Sequence, residues 1–509
     1  MKSDQCNRRE FLTVAGLGAA YAAFSFPRDG WAQSTGDRKR PPNILFCIAD
    51  DWSWPHASGV EDKVVKTPTF DRVVHEGVLF KNAFVTAPSC TPSRGSIVTG
   101  QWHWRLEEGG NLWSTLPAKF AVYPDLLEKA GYHVGVTRKG WGPGQPRPGG
   151  RTRNPAGPAY KDFSAFLAAR PEGKPFCFWF GSQDPHRPYE SQSGIKSGMR
   201  PADVKVPACL PDNEIVRQDL CDYYFEVQRF DREVGELLQA LEAKGELENT
   251  LVVMTGDNGL PFPRCKSNLY DTGTKVPLAL RWPGHIKGAR TVEDFVSLQD
   301  LAPTFLEVAG LKPLPEMTGR SLLSLLTSDR SGHINPARDH VLVGKERHAW
   351  VRKGGLGYPC RAIRTYEYLY IRNFEPDRWP AGDPAGGAEP YDAKRIYGDI
   401  DDSPTKTYMI EHQDEPGVKR LFDLAVAKRP AEELYDLRQD PDQLNNVAAD
   451  PSYAKVKEEL AARLMAELKA TNDPRVTGSG DVFDTYPYYG GGQASGGQKA
   501  KGKKQKKQK

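Results

Sequence analysis

The chain contains 509 residues, of which 39% are hydrophobic and 26% are charged, a composition typical of globular proteins with a large core. The net charge of +4 is uneven, because residues 491–509 carry seven lysines and no acid, residues 1–32 contribute +1, and the part between them carries −4. That balance excludes a general nucleic-acid-binding surface. No uncharged apolar run is long enough for a multi-span membrane protein.

The first 32 residues are predicted to be a removable export signal. Two arginines in N-R-R-E-F-L, at 7–12, precede an apolar stretch rich in Ala and Gly over 13–26, and small residues flank a cleavage site after Ala32. This order is typical of twin-arginine signals, so we expect the twin-arginine translocase to deliver the folded chain to the periplasm or the extracellular space. An N-terminal helix with two chance arginines is the alternative interpretation.

Eight cysteines lie at positions 6, 47, 90, 177, 209, 221, 265 and 360, and none of them forms a C-x-x-C pair. The spacing therefore predicts no zinc or iron–sulfur site of the usual kind. It leaves one or two disulfides open, with Cys209 and Cys221 as the nearest pair in sequence. Cys47 and Cys177 lie inside apolar runs and are predicted to be buried.

Apolar runs follow a polar linker at 33–42 and predict buried strands at 43–49, 132–136, 176–181, 250–255 and 276–281. Apolar side chains at three- and four-residue spacing over 223–241 predict an amphipathic helix, and a second helix is predicted over 300–309. Strands that alternate with helices predict an α/β catalytic domain over 43–335, with a large, mostly parallel sheet flanked by helices on both faces.

The pattern changes beyond residue 340. Shorter strands at 340–343 and 361–372 and a helix at 452–469 predict a smaller C-terminal α+β domain over 336–475. Residues 476–509 are predicted to be a disordered tail rich in Gly and Lys. Its lysines either attach to polyanions or an acidic cell surface or have no partner.

Two pairs of oxygen-bearing side chains end predicted strands: Asp50-Asp51 follows the first strand, and Asp257-Asn258 follows the fourth. Because ligands of parallel sheets bind beyond the carboxyl ends of the strands, we expect these four side chains to converge. Oxygen ligands rich in carboxylates suit a hard divalent cation, Ca²⁺ first and Mg²⁺ second. Taken alone, the Asp-Asp pair would be interpreted as a solvated turn, and T-G-D-N-G at 255–259 could be a hairpin turn.

The segment A-P-S-C-T-P-S-R-G-S, at 87–96, places Cys90 in a turn close to Arg94 and ahead of a helix predicted to begin at Ser93. By its bare chemistry, such a cysteine has a lowered pKa and is nucleophilic. A buried thiol beside a helix cap is the alternative interpretation.

C-T-P-S-R followed by G-S-x-x-T-G resembles the C-x-P-S-R signature of the type I sulfatases. In that family a formylglycine-generating enzyme oxidises the cysteine to Cα-formylglycine, whose hydrate attacks the sulfur of the substrate. The resemblance implies an alkaline-phosphatase-like fold and the same modification of this cysteine. It also implies a Ca²⁺ site whose ligands are Asp50, Asp51, Cys90, Asp257 and Asn258.

The resemblance assigns further roles. It implies that Arg94 holds the formylglycine, that Lys139 and Lys266 bind the sulfate, and that His186 in D-P-H-R contacts the leaving oxygen or nitrogen. A shift of one residue would put Arg138 in the place of Lys139.

The chain departs from the family in one motif. Many sulfatases carry G-K-x-H after the predicted second strand, whereas this chain reads T-R-K-G-W-G-P at 137–143. The histidine that would accept a proton from the formylglycine hydrate is missing, which predicts another base or a different subfamily.

Within the sulfatases, three segments resemble the heparan N-sulfatases, or sulfamidases: D-P-H-R at 184–187, T-G-D-N-G-L-P-F-P at 255–263 and S-N-L-Y at 267–270. Together with the predicted export signal and the basic residues expected to bind the sulfate, this resemblance implies an exported hydrolase that removes sulfate from a sulfated sugar, first of all N-sulfoglucosamine of heparan-type glycosaminoglycans. Another sulfated polysaccharide or an aryl sulfate is the second interpretation.

Two rival functions belong to other classes. Phosphoryl- and phosphonate-transfer enzymes share the fold, but they use Ser or Thr nucleophiles and commonly two metals, and this chain has few histidines near its motifs. A non-catalytic protein that binds sulfated glycans would keep Cys90 unmodified.

Overall fold

The computed structural model of the protein describes residues 41–60, 62–385 and 396–490. The predicted export signal at 1–32 and the lysine-rich residues 491–509 lie outside these ranges. Within them, no helix combines the length and the apolar composition needed to cross a bilayer.

A seven-stranded sheet forms the centre of the fold, in the order β3-β4-β1-β5-β6-β2-β7. Neighbouring strands are parallel except around β6, which runs antiparallel to β5 and β2. This confirms the predicted large, mostly parallel sheet. Its strands are β1 (Asn43–Ala49), β2 (Val78–Phe84), β3 (His133–Arg138), β4 (Phe176–Gly181), β5 (Thr250–Gly256), β6 (Leu278–Arg281) and β7 (Arg290–Ser297).

Both faces of this sheet are buried, as strand β1 shows. Leu45 and Cys47 point into one apolar cluster, and Ile44, Phe46 and Ile48 point into another on the opposite face. Because successive side chains of a strand alternate between faces, an unbroken apolar run is what a doubly covered strand requires. The predicted burial of Cys47 is confirmed.

Most helices lie between two strands in the sequence, and the last three follow the final strand. Their bounds are α1 (Pro68–His75), α2 (Cys90–Thr99), α3 (Tyr123–Lys129), α4 (Phe163–Ala169), α5 (Ser193–Lys196), α6 (Glu214–Glu242), α7 (Asp271–Thr274), α8 (Leu301–Val308), α9 (Leu323–Leu326), α10 (Pro404–Glu411), α11 (Pro416–Val426), α12 (Ala454–Ala470), α13 (Pro474–Thr477) and α14 (Val482–Thr485). The longest, α6, contains the predicted helix at 223–241 and begins nine residues earlier. Its N-cap is Asn213, whose side chain accepts a hydrogen bond from the backbone N–H of Val216.

A second, four-stranded antiparallel sheet has the order β11-β10-β9-β8. Its strands are β8 (His340–Lys345), β9 (Cys360–Thr365), β10 (Tyr368–Asn373) and β11 (Glu432–Asp436). The stretch predicted as one strand over 361–372 is therefore a hairpin of two strands. Leu460, Leu464 and Leu468 of helix α12 pack in one cluster with residues of this sheet. The division into two domains at residue 335 remains a prediction.

The tail predicted from residue 476 begins too early. Helix α14 lies inside it, and Phe483 of that helix is buried. The carbonyl of Phe483 accepts a hydrogen bond of 2.9 Å from the amide of Asn111, and the N–H of Tyr489 donates to the carbonyl of Trp113 over 2.7 Å. Aromatic residues over 483–489 thus pack against the rest of the protein. The many glycines of the segment dominate its average composition, which is why disorder was predicted there.

None of the seven described cysteines is in a disulfide. The pair that is nearest in sequence, Cys209 and Cys221, is not the pair in contact. The Sγ atom of Cys209 lies 3.9 Å from Sγ of Cys265 instead, because the loop after β5 folds against residues 207–210.

Candidate active site

Three parallel strands deliver the predicted site residues to one edge of the large sheet. Asp50 and Asp51 follow β1, Asp257 and Asn258 follow β5, and Lys139 follows β3. The register aligns the last residues of β1 and β5, so both pairs leave the sheet at the same level. All five side chains except that of Lys139 are buried. The carboxyl ends of the strands therefore assemble one polar cluster, as the fold class requires.

Cys90 is the first residue of helix α2, which begins three residues before its predicted start at Ser93. Its Sγ–H donates to Oδ1 of Asp50 over 3.4 Å and lies 4.0 Å from Oδ1 of Asp51. The Nδ2 amide of Asn258 donates to Sγ over 3.7 Å. The thiol thus lies inside the acidic cluster.

The expectation that Cys90 has a lowered pKa is wrong. Burial raises the pKa of the Cys90 thiol well above its usual value, and the carboxylates of Asp257 and Asp50 raise it further, against the effect of Lys139 and Lys266. The helix N-terminus and the nearby arginine are visible in the local sequence, whereas the carboxylates come from distant strands. Burial and these carboxylates therefore favour the protonated form of the Cys90 thiol, which is a poor nucleophile.

The residues of the cluster fit a divalent cation. Ligand atoms of Asp50, Asp51, Cys90 and Asp257 all lie within 4.8 Å of one another. Within the described part of the chain, Oδ1 of the buried Asn258 has no hydrogen-bond partner, which is costly unless an ion or another donor meets it. Burial raises the pKa of Asp51 to about 6, although Lys266 opposes the shift. Such crowded oxygen donors are what a hard cation needs.

Arg94 is fully buried and holds one side of this cluster. Its Nε donates to Oδ2 of Asp257 over 2.6 Å, and Nη1 donates to the carbonyls of Lys139 and Gly140 over 2.8 and 2.9 Å. Its Nη2 lies 3.9 Å from Oδ1 of Asp50. Arg94 therefore ties helix α2 to the ends of β5 and β3.

Two lysines bring positive charge to the acidic cluster. Lys139 Nζ lies 2.5 Å from each carboxylate oxygen of Asp50, and Lys266 Nζ lies 2.7 Å from Oδ2 of Asp51. Arg138 points elsewhere, with Nη1 donating to Glu233 over 2.6 Å. Of the two neighbouring basic residues, the structure thus brings only Lys139 into the cluster.

His186 lies at the open side of the cluster, with 37% of its side chain exposed and Nε2 at 4.0 Å from Oδ2 of Asp51. Its Nδ1 lies 2.6 Å from the carbonyl of Arg187, and because a carbonyl only accepts, Nδ1 carries the proton. The next residue, Arg187, forms two hydrogen bonds of 2.7 and 2.8 Å with the carboxylate of Asp219. This buried pair fixes the segment that carries the imidazole.

With Lys139 taken as the lysine of G-K-x-H, the place of the histidine falls on Trp141. It is buried, and an indole cannot accept a proton. Another imidazole lies close to Cys90 in the fold: Nδ1 of the buried His348 is 2.8 Å from Oγ of Ser89. Burial lowers the pKa of His348 to about 4, so this ring is neutral at neutral pH.

Two residues at this site, His348 and Asp401, were not predicted from the sequence. Oδ2 of Asp401 accepts a hydrogen bond from Lys266 Nζ over 3.1 Å. Both residues come from the part of the chain beyond β8, more than 250 residues after Cys90. Neither belongs to a motif, so no local signal points to them.

The family described as Sulfatase matches residues 42–148 and 156–311 of the chain. The chain belongs to the sulfatase family. A second family, described as the C-terminal part of N-sulphoglucosamine sulphohydrolase, matches residues 264–413. This sulfatase is therefore a hydrolase of sulfate esters or sulfamates. The match at 264–413 includes Lys266, His348 and Asp401.

Relatives of the sulfatase cover most of its length. It is 29% identical over 503 residues to the human N-sulphoglucosamine sulphohydrolase, covering 88% of this chain and 94% of the human one. It is 26% identical over 478 residues to an ulvan-active sulfatase of Formosa agariphila, covering 85% of this chain and 75% of that protein. The name of the first relative refers to N-sulphoglucosamine, and the name of the second refers to ulvan.

Solved structures share the fold. One, determined in complex with its substrate D-glucosamine-2-N,6-O-disulfate, superposes with a TM-score of 0.61 at 19% identity. It covers 86% of this chain and 99% of its own. The predicted alkaline-phosphatase-like sulfatase architecture, with its additional C-terminal antiparallel sheet, is thereby confirmed.

Proposed function

We propose that this sulfatase is an exported, formylglycine-dependent enzyme that removes sulfate from a sulfated sugar, N-sulfoglucosamine being the first substrate. The observation that carries the proposal is the position of Cys90, which begins a helix inside a cluster of three carboxylates and two lysines. A protonated thiol there has no evident catalytic use. Its oxidation to formylglycine gives the position a nucleophile, as in the sulfatases that share the C-x-P-S-R motif.

Asp50, Asp51, Asp257 and Asn258 would hold a divalent cation, which would supply positive charge to offset charge that develops on the sulfuryl group, and a formylglycine at position 90 would supply the attacking hydroxyl as its hydrate. Side chains of the protein bind and orient the substrate. Lys139 and Lys266 bind the sulfuryl oxygens as negative charge develops on them, and Arg94 keeps Asp257 in place. The ammonium groups turn from the carboxylates of Asp50 and Asp51 toward the substrate.

In its doubly protonated form, His186 donates from Nε2 the proton that the leaving atom needs, and the neutral ring keeps its proton on Nδ1. Because Nδ1 is held by the carbonyl of Arg187, Nε2 is the nitrogen that faces the cluster and exchanges a proton. An amine or alkoxide leaves readily only when protonated, so this step matters for both N–S and O–S cleavage. The solvent exposure of the ring leaves room for a sugar beside it.

Three observations support N-sulfoglucosamine as the substrate. The C-terminal family that matches residues 264–413 is that of N-sulphoglucosamine sulphohydrolase. The human enzyme of that name aligns with the chain over 94% of its own length. Lys266, which contacts Asp51, lies within the match at 264–413, and so does its other partner, Asp401.

Turnover with two matched substrates tests the proposal. Protein co-produced with a formylglycine-generating enzyme is assayed on N-sulfoglucosamine and on glucosamine 6-O-sulfate, by release of inorganic sulfate. We expect faster release from the N-sulfated sugar, and no release by the Cys90→Ala variant. The control is Cys177→Ala, which removes another buried thiol from strand β4 and keeps activity.

Three outcomes would change the account. Release only from the 6-O-sulfated sugar would replace the sulfamidase assignment with an O-sulfatase. An active Cys90→Ala variant would refute the nucleophile. Binding of sulfated glycans by a protein that releases no sulfate would favour the non-catalytic alternative.

Export is tested separately from chemistry. In a bacterial host, the chain is expected in the periplasmic fraction and the Arg8→Lys, Arg9→Lys double variant in the cytoplasm. Equal distribution of the two proteins would refute the twin-arginine assignment.

A further inference from the structure

Lys266 is held by two carboxylates that come from distant parts of the chain. Its Nζ lies 2.7 Å from Oδ2 of Asp51, at the end of β1, and 3.1 Å from Oδ2 of Asp401, which lies shortly before helix α10. The lysine side chain is 5% exposed, and that of Asp401 is 26% exposed. Asp401 therefore lines the open side of the site, and its carboxylate contacts the buried ammonium group of Lys266.

The backbone around Asp401 is fixed by its neighbour Asp399. Oδ2 of Asp399 accepts from Nη2 of Arg352 over 2.6 Å and from Nζ of Lys345 over 3.2 Å, and Oδ1 accepts from the N–H of Ala349 over 3.0 Å. Lys345 is the last residue of β8. The second sheet thus anchors Asp399, and two residues later the chain presents Asp401 to the site.

Asp401 is also close to the imidazole of His186. One ligand atom from each of Asp51, His186 and Asp401 lies within 4.8 Å of the other two. The ammonium of Lys266 contacts the carboxylates of Asp51 and Asp401 and offsets their negative charge. Burial alone would lower the pKa of Lys266, but Asp401 and Asp51 raise it well above its usual value.

We propose that Asp401 is a positioning residue of the sulfatase reaction, whose carboxylate holds the Lys266 ammonium and the His186 imidazole in one arrangement. This inference rests on the proposed function. Asp51 belongs to the proposed cation ligands, so Asp401 is the carboxylate partner of Lys266 that lies outside that set. One substrate then meets Lys266 through a sulfuryl oxygen and His186 through its leaving atom.

The negative charge of Asp401 has a second consequence. It lies next to the place where an anionic sulfate binds, and it competes for the same ammonium. Removing the charge frees Lys266 for sulfate and weakens the repulsion, so ground-state binding improves. Removing it also releases the two groups from their shared geometry, so the rate of the chemical step falls. A residue with a purely structural role would not produce these opposite effects.

The variants Asp401→Asn and Asp402→Asn test this inference. Asp402 is the matched control, because it is the next residue, its side chain is 82% exposed and its carboxylate pairs with Lys406 over 3.0 Å. We expect Asp401→Asn to lower kcat about 10- to 100-fold. We expect inorganic sulfate to bind this variant several-fold more tightly in calorimetry. Asp402→Asn should match the wild type in both measurements.

A third variant, Asp401→Glu, separates charge from position. It keeps the negative charge on a longer side chain, so we expect wild-type sulfate affinity with a reduced kcat. It also replaces Asp401→Asn if that variant does not fold.

A kcat of Asp401→Asn within about twofold of the wild type would overturn the inference, and so would a reduced kcat without tighter sulfate binding. If the wild type releases no sulfate from any sulfated sugar, the proposed function fails instead. Calorimetry with sulfate still tests Asp401 in that case, because tighter binding by Asp401→Asn is expected without turnover and unchanged binding refutes the competition for Lys266.

Discussion

Lys139 Nζ lies 2.5 Å from both carboxylate oxygens of Asp50, whereas the preceding residue, Arg138, points away to Glu233. The two residues diverge because β3 ends at Arg138, whose backbone turns with a φ of 56°. One of two adjacent basic side chains therefore enters the acidic cluster, and the other stays at the surface with 42% of its side chain exposed.

Replacement of Lys139 tests its role in binding the sulfuryl group. We expect Lys139→Ala to lower kcat/KM about 100- to 1,000-fold, the usual cost of removing one donor that stabilises transition-state charge. Steady-state kinetics on a sulfated sugar measure the effect. Arg138→Ala is the matched control and should stay close to wild type, because a half-exposed ion pair contributes little. A larger loss in Arg138→Ala would reverse the two assignments.

Removal of the divalent cation should lower stability as well as activity. An ion that binds only the folded state adds about 2.7 kcal/mol to the free energy of unfolding at 100 times its dissociation constant. Chelator should therefore lower the melting temperature, and Ca²⁺ should restore it. Asn258→Ala should reduce this shift, while Asn445→Ala, which changes an exposed amide, should not. Equal shifts in both variants would exclude Asn258 as a ligand.

The buried pair of Arg187 and Asp219 should be important for stability. Asp219→Asn leaves the guanidinium of Arg187 without its anion, and such a loss costs about 3–5 kcal/mol. Asp212→Asn breaks a more exposed pair with Arg217 and should cost about 1 kcal/mol or less. Denaturant unfolding of the two variants measures the difference. Equal midpoints would mean that Asp219 does not hold the segment that carries His186.

Asp231 should make stability depend on pH. Its carboxylate accepts hydrogen bonds from the N–H groups of Thr69 and Phe70, yet burial raises its pKa to about 6. A carboxyl with a raised pKa binds its proton more tightly in the folded state, so its contribution to stability is lost as pH rises from about 4 to 6. The loss is up to about 3 kcal/mol. The Asp231→Asn variant should not show this pH-dependent loss of stability.

Denaturant unfolding of wild type and Asp231→Asn at pH 4.5 and pH 7 checks this sign. The free energy of unfolding of the wild type, relative to that of the variant, should decrease from pH 4.5 to pH 7. A relative stability that rises with pH would show that the hydrogen bonds outweigh burial and lower the pKa of Asp231.

The fold was predictable where strands are buried on both faces. The runs at 43–49, 176–181 and 250–255 are apolar throughout, and the structure has strands at these places. Strands β2 and β7 were missed because polar residues interrupt them, among them Lys81 and Asn82 of β2, whose side chains are not fully buried. The sequence of β6 does not indicate that this strand runs antiparallel to its neighbours.

The site was predictable only where its residues follow strands or belong to motifs. Asp50, Asp51, Asp257 and Asn258 could be paired from the topology alone, because two neighbouring parallel strands end beside each other. The basic residues and His186 came from the family resemblance. Asp401 and His348 reach the site through the packing of the second sheet, which no sequence pattern predicts.

The modification of Cys90 is the central claim, and mass spectrometry of the tryptic peptide that contains it is the most direct test. The protein is produced with and without a formylglycine-generating enzyme. With the enzyme, we expect a peptide in which one oxygen replaces the sulfur and two hydrogens, and a kcat per chain that rises in proportion to the converted fraction. Sulfate release by a preparation in which every Cys90 remains a thiol would contradict it.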